Sequence, residues 1–388
     1  MTPVANKPDT RKQNFVVFSD DWGEHPSSCQ HIFRHIAKDH RVLWVNTIGM
    51  RNPTLRWVDA RKAFLKVSKM IGRRREPVAA EKNENVTVCQ PFMLPGSRSR
   101  IGRAFNARSV TRKVDSLINI LGITDPVIVT TVPNAAEYPE LLKGRKIIYY
   151  CVDDFSLWPG LDAAVVREME ARLIERVDCI IVVSDILYKR LTRFGKPTYL
   201  LTHGVDLEMF STPAVSELSL LKDIPRPRAG FFGLIDGRMD WDIVVPLAMR
   251  MPDMSFVFAG PIDASSGELP RARNIHFIGP VGYRELPSFV KGLEFLILPY
   301  RTGELSEAIS PLKLREYLAT GRPIVSAPIA ETRRWVNELW IASTLEQWVG
   351  ALAMGERDAI GAARVHARSL LAEDSWEQKA VTFCELCA

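Results

Sequence analysis

The chain has 388 residues, 46% of them hydrophobic and 25% charged, which is more than one hydrophobic core usually serves and favours two domains. That balance argues against large-scale disorder, and no apolar run approaches the roughly 20 residues needed to cross a bilayer, so a soluble or peripheral protein is expected. The net charge of +6 is uneven: residues 51–113 hold 16 Lys/Arg against four acids, so the remainder is acidic and an anionic partner is expected for that stretch alone.

Residues 1–13 are polar and Pro-containing and read as a flexible tail, not a signal peptide. Short β-rich runs then recur at 14–18 (NFVVF), 42–46, 127–130, 146–151 and 178–184, with amphipathic helical stretches between them. Within this half, 54–75 mixes Leu55, Val58, Phe64, Leu65, Val67, Met70 and Ile71 with Lys and Arg. It fits an amphipathic helix on an anionic membrane surface, and 98–113 adds further positive charge; a packed helix with solvated basic residues fits the same pattern. Nucleic acid is not expected, because no reading helix or stacking aromatics accompany the charge. A Pro-rich polar stretch at 213–228 reads as a linker. The alternation resumes at 229–233 (AGFFG), 255–260 (SFVFAG), 274–279 (NIHFIG), 294–300 (EFLILPY) and 323–327 (PIVSA). Runs bounded by Gly or Pro and alternating with helices imply parallel sheets covered on both faces, so the fold class is α/β with two Rossmann-like domains, 14–212 and 229–370. Six sparse cysteines, mostly in apolar runs, fit buried thiols in a reducing compartment; the terminal Cys384/Cys387 pair has no ligand histidines near it.

Ligands of such sheets bind beyond the carboxyl ends of the strands. In ISPLKLREYLATGRPIVS (309–326), Ser310 is expected to cap a helix that opens on Pro311 and stops at Gly321. Its free N–H groups, with Lys313 in the first turn, make an anion site suited to a diphosphate. Glu316, one turn on, can accept hydrogen bonds from two ribose hydroxyls. An ordinary capped helix with a Lys–Glu surface pair fits the same residues.

This passage resembles the donor-binding helix of GT-B glycosyltransferases, especially the family 4-like group. The resemblance implies two Rossmann-like domains facing a cleft, a nucleotide-diphosphate sugar as donor, no further cofactor and no bound metal. It also implies retention of anomeric configuration, and it gives the ribose to Glu316. A second glutamate that the family often carries eight residues upstream is Ala308 here, with Glu304 and Glu307 out of register. AGFFGLIDGRMDWDIV (229–244) is similar to the family's phosphate loop. Gly233 would allow close backbone approach and Arg238 would contact the diphosphate; a salt bridge from Arg238 to Asp236 or Asp240 is the alternative. FIGPVGYRELPSFV (277–290) corresponds to the turn that holds the nucleobase, implying roles for Val281, Gly282 and a stacking Tyr283.

In the first domain, YYCVDDFSLWPG (149–160) places Asp153 and Asp154 after an apolar strand, where either can orient sugar or acceptor hydroxyls or act as a base. A helix cap fits Asp154 equally, and the two-array organisation argues against a GT-A-type metal site. Gly23, Trp22 and His25, with Asp21, follow the first strand and are candidate acceptor contacts; His25 also reads as a cap or surface residue. THGVDLEMF (202–210) and DSWE (374–377) resemble the family's domain junction and its final helix, and 371–388 is expected to return to the first domain. A lipid-linked or polysaccharide acceptor at the cytoplasmic face of a membrane suits the basic stretch. An epimerase or hydrolase on the same fold, a non-catalytic partner and a membrane adaptor are the competing readings.

Overall fold

The computed structural model describes residues 13–23, 27–47, 85–94, 100–138, 141, 143, 145–354 and 360–388. The chain contacts divide into one unit of Met1–Leu201 with Ala380–Ala388 and another of Thr202–Lys379.

The first unit is built on a seven-stranded sheet, ordered β3-β2-β1-β4-β5-β6-β7. Its strands are β1 (Asn14–Ser19), β2 (Arg41–Asn46), β3 (Val86–Cys89), β4 (Val127–Thr130), β5 (Ile147–Cys151), β6 (Cys179–Val182) and β7 (Thr198–Leu200). Every pairing is parallel. The central strands are unbroken apolar runs because helices cover both faces, and Phe15 to Phe18 and Ile148 to Cys151 are buried. The helices between them start on side-chain caps: Ser27 accepts from Gln30 N, Asp162 from Val165 N and Ser184 from Leu187 N.

The second unit repeats the plan with six strands, ordered β10-β9-β8-β11-β12-β13. These are β8 (Arg228–Phe232), β9 (Ser255–Ala259), β10 (Ile275–Gly279), β11 (Phe295–Leu298), β12 (Ile324–Ser326) and β13 (Trp340–Ile341). All its pairings are parallel as well. Strand order reverses beside β1 in one sheet and beside β8 in the other, since β1 lies between β2 and β4 and β8 between β9 and β11. These are the switch points at which such sheets open a crevice at their carboxyl ends.

The stretch 213–228 that reads as a linker lies within the second unit. The buried Arg228 guanidinium holds it there, donating to the carbonyls of Leu221, Ile224 and Gly292. The chain first passes between units at Leu201/Thr202, before that stretch. The final helix, Trp376–Cys387, leaves the second unit at Lys379, and its Phe383 packs edge-on against Phe33 and Tyr150 at 5.5 and 5.3 Å. All six cysteines are free thiols. No helix among the described residues is long and apolar enough to cross a membrane.

Candidate active site

The carboxyl ends of β8, β9 and β10 meet at three glycines, Gly233, Gly260 and Gly279, with φ of 126°, 150° and 78°. Their backbones interlock: Gly233 N donates to Ala259 O at 2.9 Å and Gly260 N to Gly279 O at 2.8 Å. A Cβ on Gly260 would lie 1.9 Å from the Gly233 carbonyl oxygen, and one on Gly233 would lie 2.3 Å from Lys313 Nζ. At Gly260 only glycine leaves room, the space beside Gly233 is taken by the lysine, and at Gly279 the positive φ favours glycine although a Cβ would meet nothing.

Lys313 comes from the first turn of the helix Leu312–Thr320, which follows β11. Its ammonium donates to Tyr300 Oη at 3.0 Å and lies 4.1 Å from the centroid of the Phe231 ring. Burial pushes its pKa down, and the Arg238 charge adds to that while Tyr300 and Asp236 oppose it. An anion bound here would offset this desolvation. The helix starts differently from the sequence expectation: Pro311, at φ −68° and ψ 119°, is the cap residue, and no side chain caps the helix. Ser310 therefore sits one position too early to reach the first N–H groups. Its hydroxyl is buried and finds no hydrogen-bond partner among the described residues. The other end closes as expected, with Gly321 left-handed at φ 69° and Arg368 donating to the carbonyls of Ala319 and Thr320.

Glu316 lies one turn beyond Lys313 and is half-buried. Desolvation drives its pKa up to about 7, with the Asp206 charge adding to the rise. Lys313 and the Tyr283 hydroxyl pull the other way. Tyr283 follows β10 and packs edge-on against Phe210 at 5.8 Å, so its ring is held in the core. Beside it, half-buried Val281 joins the same cluster, and exposed Gly282 donates its N–H to Glu285 Oε2 at 3.2 Å. Arg238 forks onto Asp236, its Nε lying 2.9 and 3.0 Å from the two carboxylate oxygens, and its guanidinium carbon is 5.4 Å from the Tyr300 ring centroid. Gly233, Arg238, Lys313 and Glu316 thus form one charged cluster with Tyr283 at its margin. Nearby, Glu307 pairs with Arg333, and Ala308 is buried.

The first-domain candidates have structural partners. Asp154 caps the turn Phe155–Leu157, accepting from Ser156 N at 3.0 Å and Ser156 Oγ at 2.6 Å, and it pairs with Arg190 at 3.4 Å. Arg190 also binds Glu170, which accepts from the Tyr149 hydroxyl at 2.8 Å. Asp153 accepts from Asp154 N at 2.8 Å. Gly23, at φ 84°, donates to Gln30 Oε1 at 2.9 Å. Trp22 N donates to Asn46 Oδ1 at 3.1 Å, and its ring meets Trp44 edge-on at 4.6 Å. The Asp21 carbonyl accepts from Gln30 Nε2 at 3.1 Å. His25 lies outside the described residues, as does 54–75. No three His, Cys, Asp or Glu side chains gather as a metal site among the described residues.

No family model matches the chain. Solved structures match it along nearly its whole length. A sucrose-phosphate synthase from Thermosynechococcus elongatus superposes with a TM-score of 0.69 at 14% identity, covering 97% of this chain and 98% of that one. The chain has the GT-B fold of the glycosyltransferases. Another GT-B neighbour, Anabaena HepE crystallised with UDP and glucose, gives a TM-score of 0.64 at 13% identity over 96% of this chain and 98% of its own. A Bacillus subtilis protein named for a glycosyltransferase role in teichuronic acid biosynthesis, TuaH, is 29% identical over 225 residues, 53% of this chain. The chain spans 56% of that relative's length.

Several residues of this cluster were not singled out from the sequence. Gly260 and Gly279 close the runs SFVFAG and NIHFIG, so a glycine ending each of three consecutive strands was a visible signal. Asp206 lay within the THGVDLEMF motif, where it caps the helix Leu207–Ser211. Tyr300 and Phe231 left no signal, because their roles depend on which strands become neighbours in the folded sheet.

Proposed function

We propose that the protein transfers a sugar from a nucleoside diphosphate sugar to an acceptor, with the second unit binding the donor. The observation that carries this reading is the uncapped helix start at Leu312, with Lys313 laid across the glycine-lined strand ends and Glu316 one turn away. The helix N–H groups and the Lys313 ammonium would receive the diphosphate and stabilise the charge that builds on it as the bond to the sugar breaks. Arg238 would add to this by exchanging Asp236 for a phosphate oxygen. Glu316 would accept from the ribose hydroxyls, and the turn at Val281, Gly282 and Tyr283 would border the base. The relative's name and the UDP complexes of the neighbour support the donor class.

The finer reading is retention of configuration without a bound metal, as the resemblance of the 309–326 motif implies. The same reading has a lipid-linked or polysaccharide precursor as acceptor, used at the cytoplasmic face of a membrane that residues 54–113 approach. Asp153 and the Trp22–Gly23 loop would serve the acceptor. Asp154 is committed to Ser156 and Arg190, which supports a positioning role for it.

A thermal-shift panel of UDP, GDP, ADP and dTDP with their sugar conjugates tests the donor assignment, since a ligand of the folded state raises its stability. One nucleotide should shift wild type and leave Glu316→Ala unmoved. An equal shift in that variant would remove the ribose role, and no shift with any nucleotide would favour a non-catalytic GT-B protein.

A further inference from the structure

The first unit carries a surface that the transfer chemistry does not use. On the helix Arg100–Ile120, residues Phe105, Arg108, Ser109, Arg112, Lys113 and Ser116 recur at spacings of three and four and line one groove of about 450 Å3. Among the described residues no carboxylate pairs with Arg108, Arg112 or Lys113. The groove's end is apolar and exposed: Phe105 is 45% exposed and meets Phe92, 49% exposed, edge-on at 6.0 Å. Leu94 and Ile101 are exposed nearby in the chain, Ile101 to 83%.

This rim is held in place. Asn106 accepts from Leu94 N at 2.7 Å and donates to Leu94 O at 2.9 Å, while Ser109 Oγ donates to Phe92 O at 2.7 Å. Three side-chain hydrogen bonds thus keep a strap with two wet apolar side chains against a cationic helix face. A soluble polyanion would engage the cations and leave the rings in water. An anionic bilayer accommodates both, with aromatic and aliphatic side chains at headgroup depth and the cations at the phosphates. The charge agrees, since 51–113 is the basic part of an otherwise acidic chain.

We infer that this face, the Phe92–Leu94 strap with the Phe105–Ser116 groove, docks the protein on an anionic lipid bilayer. The inference rests on the reading of the acceptor as membrane-borne and narrows it to described residues apart from 54–75.

The test is co-sedimentation with phosphatidylcholine vesicles, with and without about 30% phosphatidylglycerol, at rising salt. Wild type should bind only the anionic vesicles, and less so as salt rises. Each cation near an anionic surface is worth about fivefold, so Arg108→Gln/Arg112→Gln should bind about 25-fold more weakly. Phe105→Ser should lose about tenfold by removing the inserted ring. Neither variant should alter the nucleotide-induced thermal shift, which reports an intact fold and keeps this test separate from that of the donor site. Wild-type sedimentation by both variants would overturn the proposal. So would binding to neutral vesicles alone, or inorganic polyphosphate binding at this face with no effect of Phe105→Ser, which would mark a site for soluble anions.

Discussion

Under the proposed ribose role of Glu316, its raised pKa should make donor affinity depend on pH. A ribose diol donates two hydrogen bonds, so it needs the ionised carboxylate. With the group held at about 7 by burial and Asp206, the free protein at pH 6 has about one glutamate in ten ionised, and at pH 8 about nine in ten. The apparent Kd scales inversely with that competent fraction, so nucleotide should bind about ninefold more tightly at pH 8, or about 1.3 kcal/mol. Titration calorimetry at both pH values, in buffers of different ionisation enthalpy, should also show about 0.9 proton released from this group per nucleotide bound at pH 6 and about 0.1 at pH 8. Tyr283→Phe removes a hydroxyl that lowers the Glu316 pKa and should move the transition upward. Glu316→Gln should abolish the Glu316 contribution and bind weakly at both pH values. A wild-type Kd independent of pH, or a variant that retains the full ninefold change, would refute the assignment of this carboxylate to the ribose. The nucleotide phosphates also titrate near neutrality, so the difference between wild type and Glu316→Gln is the quantity to compare. In the unliganded protein the sign reverses: because the folded pKa lies above the ordinary carboxylate value of 4.5, the folded state holds the extra proton and stability falls as pH rises from about 4.5 to about 7.

Gly233→Ala should cost about 1–3 kcal/mol in urea unfolding, from its φ of 126°, and should weaken nucleotide binding by displacing Lys313. Gly260→Ala, whose methyl would meet a backbone carbonyl, should reduce the melting temperature more than Gly233→Ala does. Glu170→Gln leaves Arg190 with less compensation and should destabilise the first unit by about 3 kcal/mol without changing the nucleotide Kd measured on folded protein. Arg315→Met removes a buried guanidinium that lies 3.2 Å from Glu331 and 3.3 Å from Asp374. Leaving the buried Glu331 without its ion-pair partner, while Asp374 keeps Lys379, should lower stability by about 3 kcal/mol in chemical denaturation.

Much of the fold was legible because parallel strands buried on both faces must be continuous apolar runs, and ten such runs stand out between Gly and Pro boundaries. The strands that were not legible are β3, β7 and β13, which lie at sheet edges. Val88, Tyr199 and Leu200 are exposed there and β13 has two residues, so no hydrophobic pattern was required. Lys313 and Glu316 were readable because helix spacing puts both near one helix start, and Gly321 announced its end. The cap was misassigned because Pro311 takes the extended conformation itself, which carries Ser310 out of reach. What only tertiary structure decided is how each polar group is used. Asp154 and Arg238 have the composition of reactive residues, yet folding brings Arg190 and Ser156 to the first and turns Asp236 onto the second. Glu316 is an ordinary carboxylate in the sequence. Its raised proton affinity comes from desolvation and Asp206, against the opposing pull of Lys313 and Tyr283; these groups are supplied by separate segments of the chain, and no local pattern records which of them will meet.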